Sequence, residues 1–505
     1  MQRNVFFLLG LILFASSGVF AQSYVESALT FSRTVPGGSA RVQGMASSQT
    51  ALGGDYSSAY SNPAGLGMFN RSEFTFSPAF SGYNTSATYL DNKDESSTSR
   101  LIIPGISGVF HMPIQNQNSG FVSGSFGISL TRTNDFNQST YFHGRNSQTS
   151  IIDSFLDNAW GATTAQFDEG AYNYDTPTGL AYYNYLIGPT TIPDPTNGSD
   201  TEYFTDVKGL PDQEESFRTK GAANQWNFAY GANYKDKVFF GIGVGLISLK
   251  YKNERTYAES FANDDVFNNL QLNETLDIKG NGINATLGVI ARPVDFLQVG
   301  LSFATPTYYE ISEVYTAGMS TSWKNFDYYG DGSKLLNNQQ AETDPPVMSD
   351  YTLTTPMKLS TGLAYISKFG LITADVDFVN PGKAKYSSNT SGVTFDNENK
   401  DIRNTYSQAI NYRIGAEYRY KIFRVRAGYG MQGNTYNSSL NVNNSITTLS
   451  GGVGIRIQKF YTDFAYVHTQ GNAYYQPYSF FDGPGPIADL NRTTNMGMIT
   501  FVFTF

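Results

Sequence analysis

Three histidines, His111, His143 and His468, are all the imidazole this 505-residue chain contains, and it has no cysteine. A zinc site needs Cys or His ligands at short, recognised spacings, and three scattered histidines do not supply one. Nucleophilic catalysis needs a hydroxyl or thiol within hydrogen-bond reach of a general base. Here no Gly-x-Ser-x-Gly elbow occurs, and the histidines fall near a turn, in a long polar connection and on an outward strand face. The run Gly241-Ile242-Gly243-Val244-Gly245 lies inside an alternating segment and lacks the Lys-Ser/Thr and following helix of a phosphate cradle. The expectation is a protein that is not an enzyme, with no cofactor and no metal.

What remains is a chemistry of charge on alternate positions. Asp375 and Asp377 alternate with Ala374, Val376 and Phe378; Arg413, Glu417 and Arg419 alternate with Tyr412, Ile414, Ala416 and Tyr418. Arg424 and Arg426 alternate with Phe423, Val425 and Ala427, Arg456 lies between Ile455 and Ile457, and Asp463 precedes Phe464. Successive strand residues point to opposite faces, so each of these segments has one charged face and one apolar face. If the apolar face meets lipid, the charges must face a lumen, because an Arg turned to the bilayer midplane costs about 2–4 kcal/mol.

About fourteen such segments run from Glu73 to the end: 73–91, 105–113, 120–133, 222–234, 237–254, 273–292, 295–312, 350–366, 370–387, 402–420, 422–432, 444–459, 460–471 and 491–505. Long polar connections (92–104, 134–221, 255–272, 313–349, 388–401, 433–443 and 472–490) alternate with tight ones near Gln115-Asn116, Lys235-Asp236, Pro293-Val294, Ser367-Lys368, Lys421 and Lys459. Long loops on one side and short turns on the other are the habit of outer-membrane barrels. Composition agrees: Phe 37, Tyr 35 and Gly 49, with only 15% charged residues. In the last segment Ile499, Phe501, Phe503 and Phe505 share the face expected to meet lipid. The fold class is therefore all-β, a closed transmembrane antiparallel barrel of about fourteen strands. Closure is required because an open edge in lipid leaves backbone groups unpaired.

The N-terminus gives an address. Met1-Gln2-Arg3, the apolar run Val5 to Phe14 and the small-x-small Val19-Phe20-Ala21 make residues 1–21 a secretory signal peptide. No later stretch is long and apolar enough for a membrane helix. The net charge of −9 argues against a nucleic-acid partner. An even strand count puts both barrel ends on the periplasmic side, with 22–72 entering there and 73–505 forming the barrel. Within it, 134–221 is a long extracellular loop with a helix expected over Ser150 to Trp160, and its stretch 172–195, including Gly188-Pro189 and Pro193-Asp194-Pro195, reads as a cap. A fourteen-stranded barrel is too wide for wall side chains to fill, so it is either a channel or plugged.

The segment before the first strand carries the most specific signal. Ala40-Arg41-Val42-Gln43-Gly44-Met45-Ala46, followed by Ala51-Leu52-Gly53-Gly54-Asp55-Tyr56-Ser57-Ser58-Ala59-Tyr60-Ser61-Asn62-Pro63-Ala64-Gly65-Leu66, resembles the N-terminal hatch of the FadL/TodX outer-membrane transporters of long-chain fatty acids and hydrophobic compounds. Thr355-Pro356-Met357-Lys358-Leu359, Arg413-Ile414-Gly415-Ala416-Glu417-Tyr418 and Gly300-Leu301-Ser302-Phe303 are similar to that family's strands. The resemblance implies a monomeric barrel with residues 22–72 folded inside as a hatch, and Asn62, Pro63, Ala64 and Gly65 as its gating motif. It also implies passive uptake of a hydrophobic small molecule, released sideways through a kink in the third strand, for which Gly120, Gly124 and Gly127 are the candidates. A short helix over 41–51 and Asp55 as N-cap of a second turn are expected in the hatch. Arg41 and Asp55 are its candidate anchors to the lumenal charges Asp375, Asp377, Arg413, Glu417, Arg424, Arg426, Arg456 and Asp463. The other partners expected are outer-membrane lipid and the barrel-assembly machinery of a Gram-negative cell. An alternative is a FadL-like component of type IX protein secretion, as shuttle or anchor.

Overall fold

A computed structural model describes residues 24–505 except 36, 115–119, 169–174, 191–201, 441, 482 and 484. The signal-peptide reading, the Gln115-Asn116 turn and Pro193-Asp194-Pro195 fall outside the described residues.

Fourteen antiparallel strands form the wall. They are β1 (Glu73–Tyr89), β2 (Asn92–Pro113), β3 (Phe121–Asp135, resuming as Gln138–Arg145), β4 (Asp212–Tyr234), β5 (Val238–Ser260), β6 (Phe267–Val294) and β7 (Leu297–Ala304, resuming as Tyr308–Asp327). The second half comprises β8 (Leu335–Glu342, Val347–Thr354 and Lys358–Ser367), β9 (Gly370–Val379 and Lys385–Ser387), β10 (Ala409–Tyr420), β11 (Phe423–Gln432), β12 (Ile446–Ile457), β13 (Phe460–Tyr475) and β14 (Ala488–Thr504). Each pairs with the next, and β14 returns to β1 from Glu73↔Thr504 to Thr88↔Asp489. The pairings close the strands into a ring, which is what lipid demands of a spanning sheet.

The strands have an apolar belt outside and a polar, small-residue face inside. On β14, Ile499, Phe503 and Phe505 are exposed, while Thr500, Val502 and Thr504 are buried. At the upper limit of the belt Phe80 and Leu101 pair across β1 and β2, exposed by 56% and 73%. Beyond them the outward residues of β1 are Gly82, Asn84, Ser86 and Thr88, so the apolar surface ends there. No described helix is long and apolar enough to cross a membrane, so the strands are the spanning elements.

Several strands run well past the belt, and here the boundaries differ from the sequence reading. Residues 92–104 are strand, not loop: β1 and β2 join through Leu90-Asp91, with φ of 45° and 66°, a two-residue turn in the left-handed region. Segment 92–100 is polar on both faces because it stands above the belt, and polar alternation carries no hydrophobic period. Likewise 138–145 and 212–221, assigned to the long loop, extend β3 and β4. Between them lie α4 (Ile151–Ala159), capped by the Ser150 side chain, α5 (Thr164–Asp168) and α6 (Pro177–Tyr183). The segment 402–408 belongs largely to α7 (Asp396–Thr405).

Before β1, the described residues of 24–69 run inside the wall. They form α1 (Tyr24–Ser32), α2 (Ala40–Gln43), α3 (Ser58–Ser61) and a 3-10 turn (Pro63–Met68). The helix expected over 41–51 is confined to α2; Gly44 ends it and turns follow. Asp55 caps the turn that leads into α3, its carboxylate accepting from the Ser57 N–H and its carbonyl from the Ser58 N–H, both at 3.0 Å, while Ser57 borders α3 itself without a side-chain cap bond. Asn62 closes α3 in an extended conformation and caps the 3-10 turn, its side chain accepting from the Ala64 N–H. The residue before a proline is pushed out of the helical region, which is why the chain breaks there.

Candidate functional site

Where the N-terminal segment approaches the wall backbone most closely, several inward positions of the wall are glycine. A Cβ on Gly241 would fall on the Pro63 carbonyl carbon and the Ala64 nitrogen; one on Gly428 would fall on Met45 and Ala46; one on Gly300 would meet Thr50. On Gly231 it would lie 2.6 Å from the Gly67 nitrogen, and on Gly415 2.6 Å from the Met45 Cβ. Hydrogen atoms on the wall let two backbones approach closely, which is the strand use of glycine. Gly241 and Gly243 are thus part of the seat for the plug around Pro63, and the barrel is plugged at this level.

Polar contacts lock the plug into that seat. The Asp375 Oδ2 accepts from the Gln49 N–H at 2.7 Å, the Thr50 N–H at 2.9 Å and the Thr50 hydroxyl at 2.9 Å. Arg413 holds Asp377 through two bonds, 2.6 and 3.0 Å, and lies 3.7 Å from Asp375. In a second cluster the Arg41 Nε is 3.5 Å from Glu417, which also takes Arg426 at 2.8 Å and Arg419 at 2.7 Å; Arg426 reaches Asp463 at 2.7 Å. Burial acts to lower the Arg41 pKa, but Glu417, Asp55 and Asp463 outweigh it and the net shift is upward, so Arg41 stays charged inside the lumen. Asn62 adds neutral ties, donating to the Thr50 carbonyl at 2.7 Å.

Not every candidate anchor takes part. Asp375 and Glu417 touch the plug directly, and Arg413, Asp377, Arg426 and Asp463 hold those two in place. Asp55 bonds within the plug, to Ser39 and Ser57. Arg424 turns back on its own hairpin and donates to the carbonyls of Lys421 and Phe423, because it sits at the tight turn. Arg456 stacks over the Tyr461 ring at 4.3 Å. The sequence reading missed Thr500, which accepts from the Ala40 N–H, Ser450, which accepts from the Ala46 N–H, and Ser302, which donates to the Ser61 carbonyl. Small hydroxyl residues at inward positions were the available signal.

Above the plug lies a cavity of about 470 Å³. Its apolar side includes Ile102, Pro104, Val467, Met496 and Met498; its polar side includes Arg33, whose pKa burial lowers to about 10. The volume and mixed lining suit a small ligand. The α1 residues Glu26, Leu29 and Thr30 form one wall.

The cavity reaches a break in the barrel wall. β2 and β3 pair regularly from Pro113↔Ser123 to Gly105↔Thr131, and no pairing follows among the described residues. Past that point β3 shifts register against β4 between Arg132 and Asn134. The Thr133 carbonyl accepts instead from the Val35 N–H at 2.8 Å, and the Asn134 side chain donates to the carbonyls of Thr30 and Arg33. Higher up, Arg100 donates to Asn137, and Asp94 accepts from the His143 backbone N–H at 3.1 Å and lies 2.9 Å from its ring Nδ1. Ile103 and Leu101 are exposed beside it, so the seam opens at the outer limit of the apolar belt.

The kink in the third strand was expected at Gly120, Gly124 and Gly127. Gly120 precedes β3, with φ of +77°. Gly124 and Gly127 lie within the regular ladder, and a Cβ on Gly127 would meet Leu66 of the plug at 3.1 Å. Against β4, β3 shifts register twice, between Phe121 and Ser123 beside Gly120 and Gly124, and between Arg132 and Asn134 at the seam.

No protein-family profile and no curated sequence matches the chain. Its fold is similar to a solved Pseudomonas aeruginosa FadL homologue, with a TM-score of 0.55 and 11% identity over 94% of this chain and 99% of that one. It is also similar to the P. putida toluene transporter TodX, with a TM-score of 0.52 and 12% identity over 93% and 99%. At such identities the likeness is one of fold, and it spans nearly the whole of each chain.

Proposed function

We propose that this chain, which has the fold of FadL-type barrels, is a passive channel for hydrophobic small molecules in the outer membrane of a Gram-negative cell. The ligand enters among the loops, occupies the cavity above the plug, and leaves sideways between β2 and β3 into the membrane. The observation that carries this reading is the continuity of the cavity with the unpaired seam at the border of the apolar belt. A hydrophobe gains free energy by moving from protein to lipid without crossing water, and the plug blocks the axial path. No covalent step or energy source is needed.

The test is uptake by whole Gram-negative cells that lack other hydrophobe transporters. Expression of the folded chain is expected to raise uptake of radiolabelled toluene or dodecanoate above cells carrying an empty vector. Equal rates, with the barrel present in the outer membrane, would sink the proposal.

A further inference from the structure

The uptake reading accounts for the plug and the cavity but leaves unused an aromatic cluster at the start of α1. The Tyr24 ring meets three others edge-on: Tyr351 of β8 at 5.4 Å, Tyr386 of β9 at 5.3 Å and Phe395, just before α7, at 5.2 Å. Those three also touch one another, with centroids 5.5 to 5.8 Å apart. They are buried, whereas Tyr24 is partly exposed. One ring gripped by the edges and faces of three is how a protein site holds a small aromatic molecule.

The surroundings set the charge of such a molecule. The Tyr351 hydroxyl donates to Glu313 at 2.7 Å. Burial first, then the carboxylates of Glu313 and Glu398, push the Tyr24 pKa upward, against a lowering hydrogen bond to Ser349. A neutral ring fits beside those carboxylates; an anion is repelled.

Tyr24 is also placed to leave. It is the first residue of a nine-residue helix, at the end where helices fray most readily. The far end of α1 is held independently, by Phe31 against Phe136 at 5.8 Å and Tyr251 at 5.7 Å, and by Asn134.

We propose that Tyr351, Tyr386 and Phe395 form a binding site for a neutral, one-ring aromatic molecule, which the Tyr24 side chain occupies as an internal competitor. This deepens the uptake reading and rests on it.

Calorimetric titration of the purified full chain in detergent tests the site, with p-cresol, the tyrosine side chain without its backbone, as probe. Tyr24→Ala is expected to bind p-cresol about tenfold more tightly than the native chain, and Tyr24→Phe to bind like the native chain. Benzoate is expected not to bind, and adding Phe395→Ala to Tyr24→Ala should abolish the gain. A Tyr24→Ala barrel that keeps its heat-modifiable mobility yet binds p-cresol no more tightly overturns the proposal, as does a Tyr24→Phe chain that binds as tightly as Tyr24→Ala. Native uptake of toluene together with no gain in Tyr24→Ala sinks the cage alone. A gain without native uptake supports the cage and sinks the transporter reading.

Discussion

Gly241→Leu is expected to turn a closed barrel into one that conducts small ions and hydrophilic solutes. A Cβ at this position falls on the peptide between Pro63 and Ala64, which is backbone and has no rotamer by which to yield. Overpacking of this kind costs about 1–3 kcal/mol when neighbours can shift. The wall cannot shift, because its ladders continue on both sides of Gly241, to Gly231 on β4 and Gly288 on β6. The plug is the softer partner, so the strain should tilt the Pro63–Met68 turn out of its seat. With the turn displaced, a fourteen-stranded barrel is wide enough for water. Single-channel recording in planar bilayers should show frequent large openings in the variant and few in the native chain. Traces indistinguishable from native would refute the glycine-seat account.

The second large effect is expected from Asp375→Ala. Its carboxylate is the acceptor for two backbone N–H groups and one hydroxyl of the plug, all buried. Removing it leaves those donors unsatisfied, at about 1–3 kcal/mol for each such group, and takes a negative charge from beside Arg413, which keeps only Asp377. Even about 3 kcal/mol of local destabilisation corresponds to roughly a hundredfold in an opening equilibrium. Hydrogen exchange at Gln49 and Thr50 should accelerate by about that factor, while strand amides of β9 and β10 stay protected. Asp375→Asn, which keeps one acceptor oxygen, should accelerate exchange less. Unchanged protection in Asp375→Ala would show that the plug is held by packing alone.

The sequence showed the wall more clearly than its limits. Strands such as β11 and β14 alternate apolar and polar residues at the membrane, so their phase is enforced by lipid and readable from composition. Above the belt that enforcement ends. Asn92 to Arg100 is strand because it pairs with β1, and nothing in its Ser- and Thr-rich sequence distinguishes it from loop. For the plug, Asn62-Pro63-Ala64-Gly65 marked the turn that sits on Gly231 and Gly241, because Asn as cap and Pro as first residue have local physical meaning. Local rules failed over 41–51, where Gly44 ends the helix early and the wall supplies the remaining partners. The anchors were half legible. Alternation fixed which charges face inward, but height along the barrel decides which reach the plug: Asp375 and Glu417 lie level with it, while Arg424 is at the turn. The end of the β2–β3 ladder at Gly105↔Thr131 was not visible, since it depends on Val35 and Thr30 bonding to Thr133 and Asn134 of β3.

Lateral passage between β2 and β3 is tested most directly by closing the seam chemically. Because the chain has no cysteine, Ile102→Cys gives a single thiol on the cavity side of the break, and Phe228→Cys gives a control on the lipid face of β4. Each is reacted with a bulky maleimide, and toluene uptake is measured before and after. Labelled Ile102→Cys should fall to the empty-vector rate while labelled Phe228→Cys keeps the native rate. Full uptake by a completely labelled Ile102→Cys barrel would contradict the account.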